Sequence, residues 1–520
     1  MSESMKKALE EYNSDVTTAH HGGLDGRPFW NPHSLKFMYN PAFLFPKYRD
    51  VKKYRITATD CNGREHSFVS EDPTCLLTPI WKDIAPGFVT LRVDALDRDG
   101  ETFLFPIAMR RFCKSDPFPG KDAYPPADRS YSEAARLGLK YIFEHSMSRS
   151  LLERGTPDPE YDLSVYPSKM LGAIIWAMLS YAELEPTASD EAIMIAKKAA
   201  DYLISISYGG DSPLRGLPPT YHTGHIPDGV AKISAARDRN GKLMMIYPPD
   251  VGVYYLMLEE RTGDKKYLDA ARAIADWLID HMLPVGSWYI FVDDETGEPV
   301  VDNVAIPIPA IDFFAMMYGR TGEEKYKEVE NACFEHIKRY RLSTYNWEAQ
   351  FEDSPFSNNY SNLSHVPIND FLYYLARNRR DDPETAEIAA DLARFIEDQF
   401  VVWGKHTYIN HKNAEEWYYP AGNEQYAWLR PIDASTACII HGFLATYELT
   451  GNELWLEKAE ALGNMLTRMQ NSENGVIPTH WTEKDCSKVL NNFWINCHTV
   501  SSIRLFELYR KLKEYAKNNE

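Results

Sequence analysis

The sequence predicts a mainly α protein: an (α/α)6 barrel, a toroid of six helical hairpins, preceded by a small fibronectin- or Ig-like β-sandwich. Three observations predict it. Apolar residues alternate with period two before about residue 115 and recur with period 3.6 after about residue 130. The helical half repeats a helix–Thr-Gly–helix junction. Long aromatic, acidic loops separate one helical pair from the next.

The first 24 residues are polar and His/Gly-rich, and an irregular or docked arm is expected there. Over 25–120 the strand pattern takes over: Tyr54, Ile56 and Ala58 face one way, as do Val89, Leu91, Val93 and Ala95. Turns are marked by Asn62-Gly63, Pro86-Gly87 and Asp99-Gly100. Ser115 to Pro126 reads as a linker. The barrel is then expected over 127–520, with helices at about 130–147, 168–185, 189–206, 249–262, 265–283, 307–320, 323–341, 367–380, 384–402, 432–450, 453–470 and 493–516. Thr262-Gly263, Thr321-Gly322 and Thr450-Gly451 each end one helix and start the next, because glycine adopts the left-handed C-cap at little cost. Stripes such as Tyr267, Ala271, Ile274 and Leu278 mark the second helix of a pair. Short turns within pairs and long loops between them put the long loops on one edge of the ring.

Composition narrows the function. The chain has 520 residues, 56 Lys+Arg and 75 Asp+Glu, for a net charge of −19. That balance disfavours nucleic acid and anionic membranes. Seven scattered cysteines without a CxxC pair argue against a disulfide framework or a zinc site. No apolar segment is long enough to span a bilayer and no leader is evident, so a cytoplasmic location is expected. No P-loop, GxGxxG after a strand, GxSxG or HExxH is present, and no cofactor or metal is expected. Aromatic residues are 13% of the chain, with 32 Tyr and 12 Trp, a supply suited to stacking on sugar rings.

Candidate chemistry lies at the expected mouth of the ring. Pro249-Asp250, Pro309-Ala310-Ile311-Asp312, Pro367-Ile368-Asn369-Asp370 and Pro431-Ile432-Asp433 each put an aspartate in the first turn of an inner helix. Such a carboxylate suits a helix N-terminus, and four around one cavity would also make an acidic pocket. Asp250 and Asp433 adjoin aromatic loops; Asp312 and Asp370 are expected as caps. Among loop acids, Glu348 follows Trp347 and Glu424 precedes Tyr426, and contact with an aromatic ring raises a carboxyl pKa as a general acid requires. Glycoside hydrolysis needs one such acid and one carboxylate. Glu348 and Glu424 are therefore the expected acid/base residues, with Asp250 and Asp433 as alternatives. Tyr221, Trp288, Trp347, Trp417 and Trp481 come from five loops and are expected to stack sugar rings; His222, Tyr360, His365 and Tyr426 complete the expected binding set. Tyr360, Asn362, His365 and Arg430 could instead serve a uronic-acid lyase or a sugar epimerase. A non-catalytic carbohydrate-binding protein is the alternative from another class.

Twelve paired helices with aromatic, acidic loops on one face, behind a β-sandwich, resemble the six-hairpin carbohydrate-active enzymes. These include unsaturated glucuronyl hydrolases, N-acylglucosamine 2-epimerases and endoglucanases with an Ig-like domain ahead of the barrel. The resemblance covers the architecture of about 40–516 and implies sugar chemistry on an oligosaccharide in the central cleft. It carries no residue roles across.

Overall fold

The computed structural model describes residues 3–24, 26–225, 233–356, 359–404, 419–480 and 493–518. Fifteen helices are described: α1 Glu3–Asp15, α2 Tyr131–Glu144, α3 Ser146–Arg154, α4 Pro167–Leu184, α5 Ser189–Ile206, α6 Ser234–Arg239, α7 Tyr247–Thr262, α8 Lys265–Asp280, α9 Ile308–Thr321, α10 Glu324–Ile337, α11 Val366–Asn378, α12 Thr385–Phe400, α13 Asp433–Thr450, α14 Glu453–Met469 and α15 Ile495–Asn518. Helices α4, α7, α9, α11, α13 and α15 pack side by side, and α15 returns to α4, so the inner ring is closed. Helices α5, α8, α10, α12 and α14 each pack outside the inner helix they follow. The sixth outer helix is α2, which packs on α15: the first and last helices of the barrel form the hairpin that shuts the toroid.

Local chemistry explains the hairpins. Gly263, Gly322 and Gly451 hold left-handed C-caps with φ of 70°, 69° and 68°. Asp264 and Asn452 then cap the next helices, their side chains accepting from Lys266 N and Leu454 N. Glycines also let neighbouring helices approach closely. A methyl group on Gly172 or Gly252 would strike Tyr254 at 2.5 Å or Phe313 at 2.4 Å, and one on Gly442 would meet Asn369 Oδ1 at 1.9 Å.

Before the barrel lie two small sheets. One runs Lys36–Phe37, Phe103–Lys114, Gly87–Leu96, Lys53–Thr59, Glu65–Ser70; the other runs Gly23–Leu24, Arg27–Trp30, Ala42–Phe43, Cys75–Leu76. The expected alternation holds: Tyr54, Ile56, Ala58, Leu91, Val93 and Ala95 are fully buried. Buried side chains of sheets and barrel form one continuous apolar cluster. The first residues hold a docked helix, α1. Its Tyr12 hydroxyl donates to Glu397 Oε1 at 3.0 Å, and the same carboxylate accepts from Lys458 Nζ at 2.7 Å, Tyr39 at 2.7 Å and Trp403 at 2.8 Å. No described helix is long and apolar enough to cross a membrane.

Candidate active site

All six inner helices start at one edge of the ring, where the long loops lie. At that edge an ion pair joins α4 to the loop before α11. Lys169, two residues into α4 after Pro167, donates from Nζ to Glu352 Oε1 at 2.6 Å. The Tyr247 hydroxyl donates to Glu352 Oε2. Burial alone would raise the Glu352 carboxyl, but Lys169 and Tyr247 outweigh it and hold the group below the usual carboxylate range. The backbone is anchored as well: Tyr221 donates to the Glu352 carbonyl at 2.7 Å, and Arg239 reaches both that carbonyl and Ser354 O.

Two carboxyls beside this pair are shifted the other way. Burial pushes Glu424 up to about 7, aided by Asp353 and Glu352 and opposed by Lys169 and the Gln425 amide at 3.0 Å. Asp433, the first residue of α13, is fully buried and raised well above its ordinary value by burial, although Ser501 donates to it at 2.9 Å; the charge of Glu424 adds to the rise. Glu424 and Asp433 therefore share the α13–α15–α4 sector with Lys169. Glu348 belongs to a different sector. It is buried, faces Asn303 and Gln350 at 3.4 Å each, and lines a cavity of about 70 Å³ with Ile306, Phe351 and Asp370 at the starts of α7, α9 and α11.

Below the mouth, polar side chains of α7, α9, α11, α13 and α15 act on one another's charge, beside the Trp176 ring of α4. Asp250 on α7 is pushed up to about 7 by burial and by the charges of Asp370 and Asp312. The expectation that Asp312 and Asp370 are caps is corrected: α9 and α11 have no side-chain cap bond, and both carboxyls sit a turn inside their helices. Burial raises both; Arg377 opposes it at Asp312, Arg504 at Asp370 and His441 at each. Arg504 pairs with Glu507 and lies over the Trp176 ring at 4.9 Å. Glu507 accepts His441 Nδ1 at 2.9 Å, leaving His441 Nε2 buried without a partner among the described residues.

The expected aromatic platform is not formed by the tryptophans that are described. Trp288 donates Nε1 to Leu278 O at 2.8 Å and lies parallel to Phe314; Trp347 is fully buried against Phe371. Both are core of the loops, since loops this long need apolar interiors of their own. Tyr221 is buried, with its hydroxyl spent on Glu352 O. Trp417 and Trp481 lie outside the described residues. Tyr426 is turned to the N-terminal segment: its hydroxyl bonds Gln399 at 2.6 Å and Ser34 at 3.0 Å. His365 is fully buried, which pushes its pKa down to about 3 and keeps it neutral at ordinary pH, 2.7 Å from Asn369 Nδ2. Burial lowers His222 too, and its backbone N–H donates to Val165 O. Tyr360 adopts a left-handed backbone, φ 63°, and is only partly buried. Among the described residues no group of three His, Cys, Asp or Glu side chains could hold a metal ion.

Sequence reasoning missed Lys169, His441, Arg504 and Glu507, and did not single out Glu352. A signal for Lys169 was present: Pro167-Ser168-Lys169 repeats the proline frame of the inner-helix aspartates.

No family model matches the chain, and no curated protein matches it. Solved structures do. A D-mannose isomerase is 12% identical at TM-score 0.50, the match covering 75% of this chain and 99% of that one. A cellobiose 2-epimerase from Spirochaeta thermophila DSM 6192 is 12% identical at TM-score 0.49, covering 74% and 98%. A family 76 glycoside hydrolase from a bovine Bacteroides thetaiotaomicron strain is 12% identical at TM-score 0.48, covering 89% and 95%. At such identities the likeness is one of fold, and the chain has the six-hairpin helical barrel of this structural class.

Proposed function

We propose that this chain is a carbohydrate-active enzyme, a glycoside hydrolase acting on an oligosaccharide at the loop-bearing mouth of the barrel. One observation carries the reading. Neighbouring carboxyls at the mouth are driven in opposite directions: Glu424 up to about 7, and Glu352 below its usual range. Such a split supplies an acid and an ionised carboxylate at the same pH. In this reading Glu424 protonates the leaving oxygen, with Asp433 beside it. Burial keeps Glu424 protonated, and Glu352, held ionised by Lys169 and Tyr247, adds a smaller push in the same direction. Glu348 borders the cavity from the opposite sector and activates the attacking water; Asp250 is the second acid titrating near neutrality. The same reading assigns 127–520 to catalysis and 25–120 to a β-sandwich domain behind the 1–24 arm. Phe43 supports the sandwich, meeting Phe37 and Phe112 of the other sheet at 5.6 Å each.

An oligosaccharide panel assayed for new reducing ends tests this. Turnover by the parent that vanishes in Glu424→Gln, with melting temperature unchanged, is the expected result; turnover that survives the substitution refutes the assignment. A second reading, a sugar epimerase or isomerase, is favoured by the buried His441–Glu507 pair with its free Nε2. Deuterium uptake at a sugar carbon from D₂O, lost in His441→Asn, would select it.

A further inference from the structure

A groove of about 610 Å³ lies on the flank, between the 121–131 segment and helices α14 and α15. Its walls include Lys121, Tyr124, Arg129, Glu460, Asn464 and Tyr509. Tyr509 is 14 residues along α15 from Ile495, about 21 Å below the mouth at 1.5 Å rise per residue. The groove is thus separate from the site described above.

Its volume falls in the roughly 300–1,000 Å³ range of small-molecule sites. Its chemistry is mixed and balanced: Lys121 and Arg129 are matched by Asp122 and Glu460, and Lys121 Nζ pairs with Glu460 at 2.6 Å. A locally neutral groove on a chain of net charge −19 offers nothing to a phosphate or a polyanion. What it offers is aromatic rings together with carboxylate and amide groups. Tyr124 and Tyr509 are only partly buried, and Asn464 is held in place by the Tyr131 hydroxyl at 2.5 Å. Rings for stacking beside planar hydrogen-bonding groups are what a polyhydroxylated, uncharged chain requires.

We propose that the flank groove is a second carbohydrate-binding site, holding a neutral stretch of glycan chain while the mouth acts on its end or on another chain. The inference rests on the carbohydrate reading of the mouth, but its test separates the two. Glu424→Gln protein is incubated with a panel of neutral oligosaccharides, and amide hydrogen exchange is followed at 121–131 and at the mouth loops. Protection of 121–131 is expected, together with binding weakened about tenfold or more in Tyr509→Ala/Arg129→Ala. Inorganic phosphate is expected to protect neither region. Oligosaccharides that protect the mouth but leave 121–131 unchanged overturn the flank site and spare the catalytic reading. Protection of 121–131 without mouth protection or parent turnover spares the flank site and overturns the catalytic reading. Binding unchanged in a folded Tyr509→Ala/Arg129→Ala protein also overturns the flank site.

Discussion

Replacing Lys169 with methionine tests the buried ion pair at the mouth. The change keeps most of the side-chain volume and removes the ammonium that meets Glu352 Oε1 at 2.6 Å. The Glu352 side chain is 1% exposed and that of Lys169 20%. Removing one partner of a buried ion pair costs about 3–5 kcal/mol. The lower end, about 3 kcal/mol, applies at pH 8, because Lys169 keeps some solvent contact and Tyr247 still donates to the carboxylate. The sign with pH follows from the shift. In the parent, Glu352 lies below its ordinary 4.5, so its contribution is present above pH 4.5 and is lost as pH falls through the folded value. Without Lys169, burial dominates and the folded value rises above 4.5. The penalty then grows as pH rises, and the deficit relative to the parent should be larger at pH 8 than at pH 5. Urea unfolding at both pH values measures it. The double variant Lys169→Met/Glu352→Gln should recover part of the loss at pH 8, since no uncompensated charge remains buried. A single-variant deficit under about 1 kcal/mol, or one equal at the two pH values, would refute the reasoning.

For Glu424 as proton donor, kcat/KM for an oligosaccharide should fall as pH rises through about 7, because the protonated form is lost there; a flat profile from pH 6 to 8.5 would exclude it. Gly442→Ala should cost about 1–3 kcal/mol by forcing α11 and α13 apart at Asn369, read as a lower melting temperature. Lys458→Met strips the cation from Glu397, both side chains being fully buried, and should destabilise by about 3–5 kcal/mol. Limited proteolysis should then cut within residues 1–24 faster than in the parent, because α1 docks through Tyr12 on the same carboxylate.

Much of the architecture was legible in the chain because it is local. A helix with one apolar stripe, a Thr-Gly stop at Gly263, Gly322 or Gly451 and an Asp or Asn restart each write their signal within about a dozen residues. The strand alternation around Tyr54 and Leu91 is local in the same way. The site was legible only as a supply of residue types. Glu424 and Asp250 were named as acids, and burial gives both pKa values near 7; yet an acid such as Asp312, read as a cap, proved to face the ring interior. Trp288 and Trp347 show the limit most plainly, for a loop tryptophan reads the same whether it lines a cleft or fills a loop core.

What the amino-acid sequence determined by itself was the period, the caps, the loop lengths and the acidic, aromatic character of one edge. What only the tertiary structure decided was which distant residues meet. Lys169 and Glu352 are 183 residues apart, and Tyr12 and Glu397 are 385 apart. The ring itself closes through α2 and α15, the two ends of the barrel sequence. Periodicity records the face each residue turns to its own helix or strand. The partner across that face, and with it the charge and burial that set a carboxyl's pKa, exists only once the chain has closed on itself.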